Sequence, residues 1–249
     1  MTFQALAVVG TPSALAIASC TFSGGTLSIV LSSGKSIVFS QNASGAILVN
    51  GANTTAAPCS TTRATVTNTT AISVSGLTGD EDVSIKMDVT GAGTTIVSWG
   101  TLNWMINLAS GTGDSVTIDG AALTTDDLDI ALGASGIDLN NDDNLDVALA
   151  AAEDVFVDGG DGDDTIWAAG STATGAAFTV SLTATGGDGD EGGDGKDTFH
   201  GGAANDTLKG NAGNDTLKGA AGNDRLNGGP GDDICKGGPG ADSVTNCER

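Results

Sequence analysis

Aspartate recurs at positions 197, 206, 215, 224, 233 and 242, every interval being nine residues. Glycine keeps the same period at 192, 201, 210, 219, 228 and 237, and so does an apolar residue at Phe199, Leu208, Leu217, Leu226, Cys235 and Val244. Six consecutive units therefore read Gly-x-x-Gly-x-Asp-x-apolar-x, with Ala204 in place of one second glycine. A further unit stands alone at 159–167 and carries Asp164. Carboxylates repeated at a fixed interval beside glycine turns are a donor set for cations. Their oxygens are hard, and carbonyls of a flexible turn can complete a shell of six to eight oxygens at about 2.3–2.6 Å. Such a site suits Ca2+ better than Mg2+, which demands a stricter octahedron.

These aspartates act together only if the backbone brings them together. Glycine at the first and fourth positions lets the chain turn through conformations that other residues resist. The last three residues of a unit form a short strand whose one apolar side chain faces inward. One unit is then a turn plus a strand, and two units travel out and back, closing a coil of about eighteen residues. Coils stack about 4.8 Å apart, so the turns of alternate units lie above one another. Asp197, Asp215 and Asp233 then form one ladder, and Asp206, Asp224 and Asp242 the other. Without a cation each ladder repels itself.

The units resemble the nonapeptide Gly-Gly-x-Gly-x-Asp-x-U-x of the repeats-in-toxin (RTX), or hemolysin-type calcium-binding, family. The resemblance implies a parallel β-roll that takes up Ca2+ between stacked turns and is disordered without it. It assigns the ligand role to Asp164, Asp197, Asp206, Asp215, Asp224, Asp233 and Asp242, with side-chain help from Asn205, Asn214, Asn223 and Asp232. Six turns in two rows leave about four full gaps, hence about four ions or more. Lys196 and Ala241 stand where the family has Asn or Asp, and 186–191 is a truncated unit that breaks the register. Sites at the two ends of the array are therefore expected to be weak. A leading cysteine pair, a β-rich segment and late repeats are a layout similar to that of secreted actinobacterial-type calcium-binding proteins.

The rest of the chain sets the context. Its 249 residues carry 31 acidic side chains against 9 basic ones, a net charge of −22, and no Asp or Glu precedes Asp80. Nucleic acid and anionic membranes demand a basic surface and are poor partners. No apolar run reaches the roughly 18 residues of a spanning helix. Upstream, 26–31, 36–39, 46–49, 71–74 and 94–97 are short, alternating or β-branched stretches separated by Gly, Ser and Asn turns. That is the pattern of an all-β domain or of successive β-helix coils. The nearest approach to a helix, 148–153, is too short. The expected fold is all-β: a β-rich N-terminal segment over 19–110, an acidic strand region over 111–191 holding the lone unit, and a calcium-stabilised parallel β-roll (right-handed parallel β-helix) over 192–249.

Residues 1–18 read as an export signal ending in Ala16-Ile17-Ala18, a signal-peptidase pattern. Ile17-Ala18-Ser19-Cys20 also fits a lipobox. Cysteine parity bears on the choice: Cys20 with Cys59 and Cys235 with Cys247 use all four thiols as two local disulfides, whereas lipidation strands Cys59. Disulfides imply an oxidising, extracellular compartment. Asp138, Asn140, Asp142, Asn144 and Asp146 alternate and could face one cation, yet the glycine and distal glutamate of an EF-hand loop are missing. An Asn/Asp-rich turn between two strands explains that segment equally well. Trp99, Trp104 and Trp167 read as core or coil-capping residues, and His200, at an outward ninth position, as a surface histidine. With that single histidine, no His-Glu-x-x-His zinc site and no Gly-x-Ser-x-Gly elbow, the expectation is a non-catalytic, secreted calcium-binding protein. The alternative is a cell-surface or matrix adhesion module, with the roll as a rigid spacer and the acid-free segment before residue 79 making the contact.

Overall fold

The computed structural model describes residues 17–32, 34–42, 46–49, 52–53, 64–65, 67–76, 80–90, 102–108, 113–120, 128–139, 144–160, 163–186 and 196–248. Among them every regular element is a strand, and no helix is long and apolar enough to cross a membrane. In many strands apolar residues alternate with small polar ones, giving one dry and one wet face. Thr26–Leu31 buries Leu27, Ile29 and Leu31, and Asn103–Asn107 buries Trp104 and Ile106.

The strands form two sheets, of eleven and ten strands among the described residues. The chain visits them in alternation: Ala71–Ser75 lies in one, Asp82–Thr90 in the other, Asn103–Asn107 in the first again and Ser115–Asp119 in the second. Successive visits are parallel, with Ala71 beside Asn103 and Asp82 beside Ser115. This is the architecture expected of the repeats, but it extends through the upstream chain as well. Strands on both sides of residues 110 and 191 share the same two sheets.

Coil length distinguishes the two halves. Turns stacked upstream join residues 33 or more apart, as Glu81 to Asp114 at 33 and Asp114 to Glu153 at 39, whereas those of the roll join residues 18 apart, as Asp197 to Asp215. In the roll, Thr198 pairs with Thr216 and Thr216 with Ile234, while Thr207 pairs with Arg225 and Arg225 with Ser243. The lone unit joins the same stack, its strand Thr165–Trp167 lying parallel to Thr198–Gly202. Gly136–Asp138 and Val147–Ala150 pair antiparallel, so the acidic segment between them connects two strands of a hairpin; Asn140 and Asp142 lie outside the described residues. The stretch that came nearest to a helix begins in the strand Val147–Ala150.

Every rung of the roll but the last contributes one buried apolar side chain: Phe199, Leu208 and Leu217 are fully buried, Leu226 nearly so, and Cys235 is 9% exposed. One such side chain contributes about 1.5–3 kcal/mol, little against the cost of ordering a nine-residue, glycine-rich unit. The turns therefore need a second source of stability. Val244, expected inward, is instead 45% exposed, on the last rung among the described residues.

The Cys235–Cys247 disulfide ties that end down. It closes a loop with a sequence separation of 12, so replacing both cysteines by serine should lower stability by about 3 kcal/mol in a denaturant melt with calcium present. Cys20 is also disulfide-bonded, while its assigned partner Cys59 lies outside the described residues, as do Trp99, the stretch 94–97 and residues 1–16. Ile17 and Ala18 begin the strand Ile17–Ser23, and Ile17 is buried.

The tryptophans divide. Trp104 is a core residue, edge-on to Phe39 with ring centroids 5.0 Å apart. Trp167 is not: it occupies the outward ninth position of its unit, is 39% exposed and lies 4.7 Å from the His200 ring on the next rung. Burial, then the Lys218 charge, pushes His200 below the usual imidazole range.

Candidate metal centre

Each nonapeptide aspartate is the last residue before its strand, and one carboxylate oxygen of each reaches the preceding coil. Oδ1 of Asp215 accepts the Asp197 N–H at 2.9 Å, and Oδ1 of Asp233 accepts that of Asp215 at 2.9 Å. On the other side, Oδ1 of Asp224 accepts the Asp206 N–H at 2.9 Å, and Oδ1 of Asp242 that of Asp224 at 3.0 Å. These are the two ladders that the period implies. Asp164 extends the first: its N–H donates to Asp197 Oδ1 at 2.9 Å, and its Oδ1 accepts the Leu128 N–H at 2.8 Å. Leu182 N–H, donating to Asp206 Oδ1 at 3.0 Å, stands at the head of the second.

The second oxygen behaves differently. Oδ2 of Asp206, Asp215, Asp224 and Asp233 is buried with no hydrogen-bond partner among the described residues. Each of these residues is no more than 1% exposed. An unsatisfied buried polar atom costs roughly 1–3 kcal/mol, and more when charged. Oδ2 lies against the glycine that opens its own unit. A Cβ on Gly210 would run into Asp215 Oδ2 and stand 2.6 Å from the Gly228 carbonyl oxygen; one on Gly201 would run into Asp206 Oδ2 and stand 2.6 Å from the Gly219 carbonyl. Carboxylate and carbonyl oxygens thus converge between coils with no hydrogen-bond donor recorded for Oδ2. Two acceptors repel there, and a cation converts the repulsion into coordination.

The two glycines of a unit have different jobs. Gly201, Gly210, Gly219 and Gly228 are absent from the positive-φ conformations, so their role is close approach rather than turn geometry. The fourth-position glycines do need the special backbone: Gly213, Gly222, Gly231 and Gly240 have φ of 147°, 135°, 152° and 158°.

The fifth position, assigned auxiliary ligands, carries a different ladder. Oδ1 of Asn205 accepts the Asn223 N–H at 2.7 Å, Oδ1 of Asn214 accepts the Asp232 N–H at 2.9 Å, and Oδ1 of Asn223 accepts the Ala241 N–H at 2.8 Å. Asp163 does the same for Lys196 at 2.8 Å. Position six reaches back one coil and position five reaches forward one, so each turn is stitched on both sides.

Burial pushes Asp197 up to about 7 against the lowering effect of the Asp164 N–H, with the neighbouring Asp164 and Asp215 charges adding to the rise. Asp206 is likewise pushed up to about 7 by burial and Asp224, against the Leu182 N–H. Asp215 and Asp224 rise for the same leading reason, burial. With 3.8 as the ordinary value, the metal-free folded state holds protons that the unfolded chain releases between about pH 4 and 7. That stability is fully present below about 4 and is lost as pH rises through about 7. Chelator-treated protein should accordingly retain more of the roll's β dichroism at pH 5 than at pH 8. In saturating calcium the difference should close, because the carboxylates then stay ionised in both states.

Sequence reasoning overlooked an upstream counterpart. Gly76-Leu77-Thr78-Gly79-Asp80-Glu81-Asp82-Val83-Ser84 fits the unit with glutamate at position six. Glu81 and Asp114 are both fully buried, and Glu81 N–H donates to Asp114 Oδ1 at 2.7 Å. The signal was there, hidden by the Asp-to-Glu change and by the lack of a neighbouring unit in phase.

A family model for the RTX calcium-binding nonapeptide repeat matches four times, at residues 142–171, 184–217, 191–225 and 209–244. No curated protein and no solved structure gives a match. The matched segments contain both ladders and the lone unit that joins them. The chain thus carries hemolysin-type RTX repeats, structural modules that bind calcium.

Proposed function

We propose that this is a secreted, extracellular, non-catalytic calcium-binding protein whose roll folds when calcium fills the spaces between stacked turns. The observation that carries the reading is the row of buried aspartate oxygens lacking a hydrogen-bond partner, Oδ2 of Asp206, Asp215, Asp224 and Asp233, each beside a glycine. Asp164, Asp197 and Asp242 complete the ligand rows, while Asn205, Asn214, Asn223 and Asp232 act at the rim, the asparagines chiefly as acceptors for backbone N–H groups. Asp164 adds a gap to the about four between stacked, alternate nonapeptides, giving about five ions. Ions that bind only the folded chain stabilise it by mass action. The limits at residues 110 and 191 then mark changes in turn chemistry along one stack.

The test is a calcium titration of chelated protein followed by far-ultraviolet circular dichroism. The reading expects β signal to grow cooperatively over the titration and to be lost again on chelation. A spectrum indifferent to both overturns it.

A further inference from the structure

The upstream coils repeat the arrangement of the roll, with glutamate in place of aspartate at position six of an isolated unit. Glu81 is fully buried, and its Oε1 accepts the Gly34 N–H at 3.0 Å. Its Oε2 is buried with no hydrogen-bond partner among the described residues. That oxygen is aimed at Gly76, the residue five positions earlier: a Cβ on Gly76 would stand 2.8 Å from Glu81 Oε2 and 2.7 Å from the Leu108 carbonyl oxygen. Asp215 Oδ2, Gly210 and the Gly228 carbonyl stand in the same relation in the roll. The carboxylates also form a ladder here, with Glu81 N–H donating to Asp114 Oδ1 and Asp114 N–H to Glu153 Oε2 at 2.9 Å. Of these residues only Glu153 falls within the matched repeats, which begin at residue 142; Gly34, Gly76, Glu81, Leu108 and Asp114 lie outside them.

We propose that Glu81 Oε2 and the Leu108 carbonyl oxygen are ligands of a separate divalent cation site, of calcium type, between the coils that begin at Gly76 and Leu108. Two converging hard oxygens, one anionic, with the remaining positions open to carbonyls and water, define the class of ion. The stacked turns here are 33 to 47 residues apart rather than 18, so the site depends on the stacking of turns and not on a fixed nonapeptide period. It uses the same oxygen chemistry as the proposed roll sites but none of their residues, so its failure leaves that reading intact.

Glu81→Gln tests it in the full-length chain. The amide is isosteric and keeps an acceptor for Gly34, while its NH2 can donate to the Leu108 carbonyl. Without metal, glutamine should therefore be the better residue. The variant is expected to melt above wild type in chelator and below it in saturating calcium, an inversion of order, with the calcium-induced change in the roll's dichroism retained. If calcium shifts both proteins equally, Glu81 holds no ion and the proposal is overturned. Should the variant fail to fold, wild-type crystals grown with terbium decide. An anomalous peak beside Glu81 Oε2 supports the site, and none there, with peaks between the roll turns, removes it.

Discussion

Gly231→Ala is expected to prevent the roll from forming even in saturating calcium. Gly231 has φ of 152°, a conformation open in practice only to glycine, and a Cβ there would overlap the Gly213 carbonyl oxygen outright. Neither fault can be relieved locally. The Gly213 N–H is itself held by the Pro230 carbonyl at 3.1 Å, so moving one turn disturbs the next. The strained backbone alone costs about 1–3 kcal/mol, and separating two coils also breaks the Asp215–Asp233 hydrogen bond that spans them. The combined effect should exceed about 4 kcal/mol, beyond the usual range for a point substitution. Circular dichroism in millimolar calcium reads the result: the roll's β contribution is lost while that of the upstream coils persists. Alanine at Gly24, which has φ of 57° and where a Cβ meets nothing within 4 Å, is a control for a positive φ without a clash and should cost far less.

The second large effect belongs to the ladders. Asp215→Ala with Asp224→Ala removes one carboxylate from the middle of each row, leaving the N–H groups of Asp197 and Asp206 without acceptors. Hydrogen bonds to charged groups contribute about 1.5–3 kcal/mol each, so the pair should cost about 3–6 kcal/mol before any lost coordination is added. Calcium titration should show a midpoint raised by at least about 100-fold, equivalent to roughly 2.7 kcal/mol, together with fewer ions bound. Without calcium the penalty should be smaller, because removing two buried acids relieves repulsion within each row and partly offsets the lost hydrogen bonds. A variant that binds calcium as tightly as wild type would remove both residues from the ligand set.

Much of this was legible in the sequence because the roll is periodic. A repeat of nine with one apolar residue fixes the inward position, and pairing two units fixes which aspartates stack; Thr198 beside Thr216 and Thr207 beside Arg225 follow directly. The place of Asp164 was less visible, since 33 residues rather than 18 separate it from Asp197 and a period search ends at the break. Glycine was read for turning, which holds for Gly231, yet Gly210 serves close approach, something only a neighbouring coil reveals. The asparagines looked like auxiliary ligands because oxygen type is all a sequence supplies; their direction, toward the N–H of the following coil, is a tertiary fact. Upstream, alternation gave strands such as Thr26–Leu31 but not their parallel stacking on Ala71–Ser75, because variable loops between coils erase the period.

The central claim is that calcium holds the aspartate ladders together. The amides of Asp197, Asp206, Asp215 and Asp224 report on it directly, since each donates to a ladder carboxylate. Hydrogen exchange at these four, measured with millimolar calcium and again with chelator, should differ by about 100-fold or more, slow with the ion and fast without it. Equal exchange in the two conditions would contradict the account, because the ladders would then stand without the metal they are held to bind.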